Sequence, residues 1–475
     1  MIGVHPKKLL GPIVGLATLV LAGCAVVGPD YDAPPKVDVP DAWNHQLGGS
    51  AQDLSQWWQQ LNDPALESLI ARANSSSLDL RIALARIEEA SAQYGVASSA
   101  SYPSVDVIGS ARRSSVGGDV VDIPVSTDDF EAIGSSLAWE IDLFGRIRRQ
   151  QQAAKAQFEA TVEGFRGVQV SLNAEVAQTY VEVRTLQKRL ELASKNVSNQ
   201  RETLKVVKAR YKAELTSELD VNQAEQNLAG SESSIPQLNA GLARAVNRLA
   251  VLLGQNPGAL NTELSKIYPI PVVPDGIALS IPREILRQRP DIRRAERQLA
   301  AQTARVGVAT ANLYPRLSLS GIFAATGSSS ESTLWSFGPN LSWNIFDASR
   351  KRRLIDIEDA RVEQARAAYE KTVLAAFEDV ESGLIGYQQE LQRLKYLNKS
   401  VGAAQKTVNV AKSQYKNGLT NFQTVLDAER VLFAEEDRLA NSQGMLVRYL
   451  VSIYRAMGGG WSQAQAIELN AKETK

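Results

Sequence analysis

One cysteine, Cys24, is the only thiol in this chain, so no internal disulfide can form. The imidazole inventory is equally short, His5 and His45. A histidine-rich metal site and a Cys–His nucleophile pair are therefore excluded. No phosphate-binding loop or nucleophile–base pair occurs along the sequence. The chain is accordingly read as neither an enzyme nor a holder of a cofactor or metal. Basic and acidic residues balance at 52 each, and no basic stripe points to nucleic acid. The apolar and charged fractions, 44% and 22%, are those of a folded protein. A lone thiol can still carry a covalent group, and its position indicates which one.

Lys7 and Lys8 form a short basic region, and Leu9 to Leu21 is an apolar run too short to cross a bilayer as a helix. Leu21-Ala22-Gly23-Cys24 then closes the run with small residues. This resembles a bacterial lipobox, which would make residues 1–23 a lipoprotein signal peptide and Cys24 a lipidated first residue. Ala25 follows where Asp would favour the inner membrane, so an outer-membrane destination is expected. Removing residues 1–23 leaves 50 basic and 52 acidic residues, a net charge of −2.

The elements behind these residues are built twice. With an offset of 212, Asp79-Leu80-Arg81 falls on Asp291-Ile292-Arg293 and Tyr102-Pro103 on Tyr314-Pro315. With an offset of 204, Trp139 falls on Trp343, Tyr211-Lys212 on Tyr415-Lys416, and Ala224-Glu225 on Ala428-Glu429. A repeat this long is a duplicated structural unit. The reading divides the chain into an N-terminal tether and equatorial segment (24–77), a first repeat (78–254), a linker (255–281), a second repeat (282–460) and a tail (461–475).

Within each repeat the pattern predicts helix, strand, strand, long helix, shorter helix. Leu78 to Ser99 reads as the first helix. Val105, Val107 and Gly109, then Ile133, Leu137, Trp139 and Ile141, alternate at period two, as do Leu317, Leu319, Phe323 and then Trp335, Phe337, Leu341, Trp343. From Arg146 to Ala213 there is no proline, enough for roughly 100 Å of helix. Its apolar seam repeats every four and three residues, as does that of the second repeat, which predicts coiled-coil packing. The return helices are expected from about Ser217 to Leu253 and Asn421 to Met457. A short helix is expected in Trp57-Trp58 through Asn74, with Asp63 as N-cap, Pro64 at N1, and Leu66, Leu69 and Ile70 on one face.

Four amphipathic strands could form the edge of a soluble sandwich or part of a membrane barrel. In a membrane their two open edges would each cost several kcal/mol per unpaired backbone group. The sheet must then close on further copies: two give an eight-strand barrel that side chains fill, and three give twelve strands and a lumen.

The lipobox, Trp57-Trp58 with Asp63-Pro64, Arg289-Pro290-Asp291-Ile292-Arg293 and Tyr314-Pro315 together resemble the TolC-type outer-membrane factors, closest to the lipid-anchored branch of tripartite multidrug efflux pumps. The resemblance covers essentially the whole mature chain. It implies a mixed α/β membrane protein, mainly α: a homotrimeric twelve-strand β-barrel continuous with a twelve-helix periplasmic barrel. Function would be that of a passive exit duct in the outer membrane, fed by an inner-membrane transporter through a periplasmic adaptor. A type I protein-secretion duct is the alternative within transport, and a periplasmic coiled-coil structural lipoprotein the alternative outside it.

The resemblance also assigns residues. Leu215 and Thr216 at one helical tip, and Gly418, Leu419 and Thr420 at the other, would meet the adaptor. Glu214 stands where the family often has glycine, a departure that bears on the geometry of the first tip. Asp220, Asp427 and Tyr415 would constrict the closed pore, with an Asp427–Tyr415 hydrogen bond tying helices together. Trp139 and Trp343 would face lipid in an interfacial girdle.

Overall fold

The duplication is carried through to the backbone. A computed structural model describes residues 26–45, 54–116, 126–274, 285, 288–327 and 332–462. The signal segment, Cys24 and nearly all of the tail lie outside the described residues. After a 3-10 turn at Trp57–Leu61 come α1 (Pro64–Ser76), α2 (Leu78–Ser99), β1 (Ser104–Val116), β2 (Ser126–Ile141), α3 (Arg146–Lys212) and α4 (Glu218–Leu252). The second half gives α5 (Pro290–Ala311), β3 (Arg316–Gly327), β4 (Ser332–Ser342), α6 (Arg350–Lys416) and α7 (Phe422–Ala456). Matching helices have equal lengths: 22 residues for α2 and α5, 67 for α3 and α6, 35 for α4 and α7.

The cap expected at Asp63, with Pro64 at N1, is where α1 begins, while Trp57–Leu61 before it forms a separate 3-10 turn. Asn62 adopts a left-handed φ of +48° and ends the 3-10 turn. Asp63 is then extended, and its carboxylate accepts from the backbone N–H of Ala65 (3.0 Å) and Leu66 (3.2 Å) to start α1 at Pro64. Leu66, Leu69 and Ile70 on α1 are fully buried, each contributing roughly 1.5–3 kcal/mol.

Two compact units emerge. The first comprises Met1–Lys36, Arg86–Val162 and Arg294–Lys371, and contains the sheet. Its order is β1-β2-β3-β4, antiparallel throughout, with β1 and β4 as edges. The register pairs Val105 with Leu137, Leu137 with Gly321 and Gly321 with Phe337, so the alternating residues of all four strands share one face. On that face Val107, Ile133, Phe323, Trp335, Phe337 and Leu341 are all exposed. Such a face needs an apolar surrounding or a partner.

The second unit comprises Val37–Ala85, Glu163–Arg293 and Thr372–Lys475. Here the heptad seams find their partners. Leu172, Val176, Val183, Val197 and Val207 are buried on α3, and Ala376, Val380, Tyr387, Val408 and Ala411 on α6. Glycines set the closest helix approaches. A Cβ on Gly386 would overlap the Tyr449 ring, and one on Gly444 would overlap the Thr185 hydroxyl, bringing α7 against α6 and α3. Among the described residues no helix is long and apolar enough to cross a membrane.

Candidate functional site

The two tips are built alike. In the first, Glu214 takes φ +60° and Leu215 donates its N–H to the Arg210 carbonyl at 2.9 Å. In the second, Gly418 takes φ +73° and Leu419 donates to Gln414 at 2.9 Å. Both are Schellman closures that satisfy the last carbonyls of α3 and α6. Glu214 therefore keeps the turn that Gly418 makes without strain. Leu215 and Leu419 are 64% and 76% exposed, so neither is used to hold its own hairpin together. The return helices are capped by Ser217, whose hydroxyl accepts from the Asp220 N–H, and by Asn421, which accepts from Thr424. Thr216 bonds the Asp220 carboxylate, and Thr420 donates to the Thr424 hydroxyl at 3.1 Å.

The expected constriction residues are not brought together within one chain. Asp220 is occupied at the N-terminus of α4 by Thr216 and the Ser217 N–H. Asp427 is half-buried and accepts from Gln423 (3.1 Å) and Arg430 (2.5 Å), both on its own helix. Tyr415 is buried at 6% exposure in the tip core, tilted against Phe422 at 5.4 Å. The Arg210 guanidinium lies 4.7 Å from its ring centroid and donates to its carbonyl at 3.2 Å. The expected Asp427–Tyr415 bond is thus not an intrachain one. The heptad seam that ends at Tyr415 turns its ring into the core, and Asp427 lies on the other side of α7.

Sequence reasoning missed the carboxylate that does join the hairpins. Glu429 on α7 is 4% exposed, paired with Lys412 of α6 at 2.6 Å and accepting from the Thr203 hydroxyl of α3 at 3.0 Å. A buried charge needs such partners to persist. The available signal was the recurrence of Ala-Glu at 224–225 and 428–429.

At the sheet boundary the two tryptophans make the same bond. The Trp139 indole donates to the Ser101 carbonyl at 2.9 Å and that of Trp343 to the Leu313 carbonyl at 3.0 Å. Both rings stay partly open, at 36% and 56% exposure. An apolar ring with its polar edge tied to the backbone suits a membrane interface.

A second missed feature holds the N-terminal strap. The Arg149 guanidinium is buried and donates to the carbonyls of Val27 (3.0 Å) and Gly28 (2.9 Å) and to Asp30 (2.7 Å). Gly28, at φ +88°, passes so close to Gly307 that a Cβ on it would overlap the Gly307 backbone, and a Cβ on Gly307 would overlap the Arg149 side chain.

The Arg289 motif also has a physical role. Its guanidinium bonds Asp291 (2.7 Å), Asp379 (3.1 Å) and the Ala456 carbonyl (2.7 Å), joining the start of α5 to α6 and the end of α7. Burial alone would lower its pKa, but the two carboxylates outweigh this and raise it. Tyr454 stacks on Trp57 at 5.3 Å and donates to Gln60 at 2.6 Å. Burial, with Tyr387 nearby, pushes its phenol up to about 12.

Comparison with known proteins covers nearly the whole chain. The family model described as outer membrane efflux protein matches residues 69–255 and 281–459. Nodulation protein T of Rhizobium leguminosarum bv. trifolii is 31% identical over 453 residues, spanning 94% of this chain and 96% of that protein. The solvent efflux pump outer membrane protein SrpC of Pseudomonas putida is 33% identical, over 94% of this chain and 98% of that protein. Among solved structures, the outer-membrane channel OprN gives a TM-score of 0.83 at 37% identity, covering 92% of this chain and 99% of that one.

Proposed function

The chain belongs to the outer membrane efflux protein family, and from that premise we propose that three copies form the exit duct of a tripartite pump. One observation carries the reading: a four-stranded sheet with two open edges and a face rich in exposed apolar side chains. In lipid the edges must be paired, and copies of the same sheet can pair them. Three copies give a twelve-strand barrel with a lumen, continued by twelve helical staves in the periplasm. Trp139 and Trp343 form the interfacial girdle, and lipidated Cys24 adds an anchor. The equatorial belt comes from the segments before α2, between the repeats and after α7.

The duct is passive, and a periplasmic adaptor meets it at Leu215, Thr216, Gly418, Leu419 and Thr420. The exposed leucines support this, since an apolar side chain held in water at a turn is otherwise unused. Asp427 and Asp220, with Tyr415 fixing the pose of the second tip, narrow the periplasmic end. Relatives named for solvent and toluene efflux favour small molecules over secreted proteins as cargo.

The test is conductance in planar bilayers. Wild-type trimers should insert and show a small, cation-dependent current. Asp427→Ala should raise it and weaken its dependence on cations. Protein that retains native sheet content but neither inserts nor conducts would overturn the duct.

A further inference from the structure

The duplication and the contacts inside one chain specify the contacts between chains. Four lines of observation converge on the faces of α6 and α4. First, the polar tie between the hairpins is written twice in the sequence but made once. Thr203, Lys208 and Glu225 correspond, at an offset of 204, to Thr407, Lys412 and Glu429. Lys208 pairs with Glu225 at 2.6 Å as Lys412 pairs with Glu429 at 2.6 Å. Glu429 is buried and takes a second contact from Thr203, whereas the Glu225 side chain is 48% exposed.

Second, Thr407 is exposed and its hydroxyl donates to the Ala403 carbonyl of its own helix at 3.0 Å. Its counterpart Thr203 sends the same hydroxyl across to α7 instead. Third, Val170 and Val181 on α3 are buried at 6% and 0% exposure, while their counterparts on α6, Leu374 and Ile385, are 61% and 46% exposed. Fourth, Tyr415 is covered by Arg210, but its counterpart Tyr211 is 45% exposed. The counterpart of Arg210 is Gln414.

The face that α3 buries against α7 is therefore repeated on α6, and among the described residues it is left open. The helix shaped to cover it is the counterpart of α7, which is α4. Within the chain α4 sits in the hairpin of its own α3 and carries the unfinished half of the tie. We infer that α6 of one copy receives α4 of the next copy in the register that α3 and α7 use internally, with Thr407 donating to Glu225 and Gln414 lying over Tyr211 of the neighbour. The interface is head-to-tail: one copy offers α6 and the other α4. Such contacts repeat around a closed ring, and each copy presents one of each face. This rests on the trimeric reading above and adds the register and the residues.

The test uses full-length protein in membranes. Thr407→Cys with Glu225→Cys should give covalent dimers and trimers on oxidation or with a short bismaleimide. Each single variant should not, which also controls for Cys24. Thr203→Cys with Glu429→Cys should close inside one chain and leave covalent monomers. If the wild type forms no trimer at all, the trimeric reading falls and this interface with it. If a native trimer forms but Thr407→Cys/Glu225→Cys stays monomeric on denaturing gels, the register is wrong while the trimer stands. A milder pair guards against misfolding: Thr407→Ala and Glu225→Ala should each lower the trimer's dissociation temperature, and their combination should lower it no further than the larger single effect. Additive losses would also overturn the tie.

Discussion

Glu214 shows how a single residue can hide a turn. It holds φ +60°, a region that costs a side-chain-bearing residue about 1–2 kcal/mol, because the closing bond from Leu215 to Arg210 demands it. Gly418 makes the equivalent turn legible in sequence, whereas Glu214 disguises it. Glu214→Gly should therefore stabilise the first tip by about 1 kcal/mol. Slower tryptic cleavage at Lys212 in the purified protein would register the gain. Tyr454 offers a titration test. Its folded pKa of about 12 lies above the ordinary value of 10.0, so the folded state holds its proton longer than the unfolded chain does. Its contribution to stability is complete below pH 10 and is lost as pH rises towards 12. Phenolate absorbance should show a late-titrating class that shrinks in Tyr454→Phe. A late-titrating class of unchanged size in Tyr454→Phe would assign it elsewhere.

At the level of elements, periodicity was the dependable guide. The long helices were readable because no proline falls in 67 residues and a four-three seam runs along them, with Thr179 and Gln200 as its polar exceptions in the first repeat, and the strands because one face alternates. The tip core was only half readable. Its heptads pointed to Tyr415, but which way Tyr415 and Asp427 faced depended on α7 packing against both long helices. The strap was not readable at all. Residues 24–56 look like an unpatterned tether, since Arg149 grips carbonyls rather than apolar side chains and leaves no hydrophobic period behind. Gly307→Val should expose this contact. The new side chain would collide with the Arg149 stem, and losing charged hydrogen bonds worth about 1.5–3 kcal/mol each should free the strap. Faster hydrogen exchange at residues 26–31, with α3 unchanged, is the expected outcome.

For the whole molecule, the repeat was plain in the sequence, but closure was not, because a ring belongs to several copies and one chain shows only its open faces. Charged replacements at Trp139 or Trp343 probe that closure. Each should cost up to a few kcal/mol according to depth in the bilayer, read as lower heat resistance of the trimer in detergent. A cost that is the same in detergent-free soluble form would point to packing instead of lipid. The strap has a further meaning at this scale. Because Arg149 holds the strap mainly through main-chain carbonyls, with Asp30 the strap side chain it grips, the socket is indifferent to whatever is fastened upstream. An acyl group, a different leader or an engineered tag could be exchanged ahead of residue 26 without redesigning the body. The proposed mooring is in that sense a detachable fitting, and lineages could gain or drop it while the body behind it stayed the same.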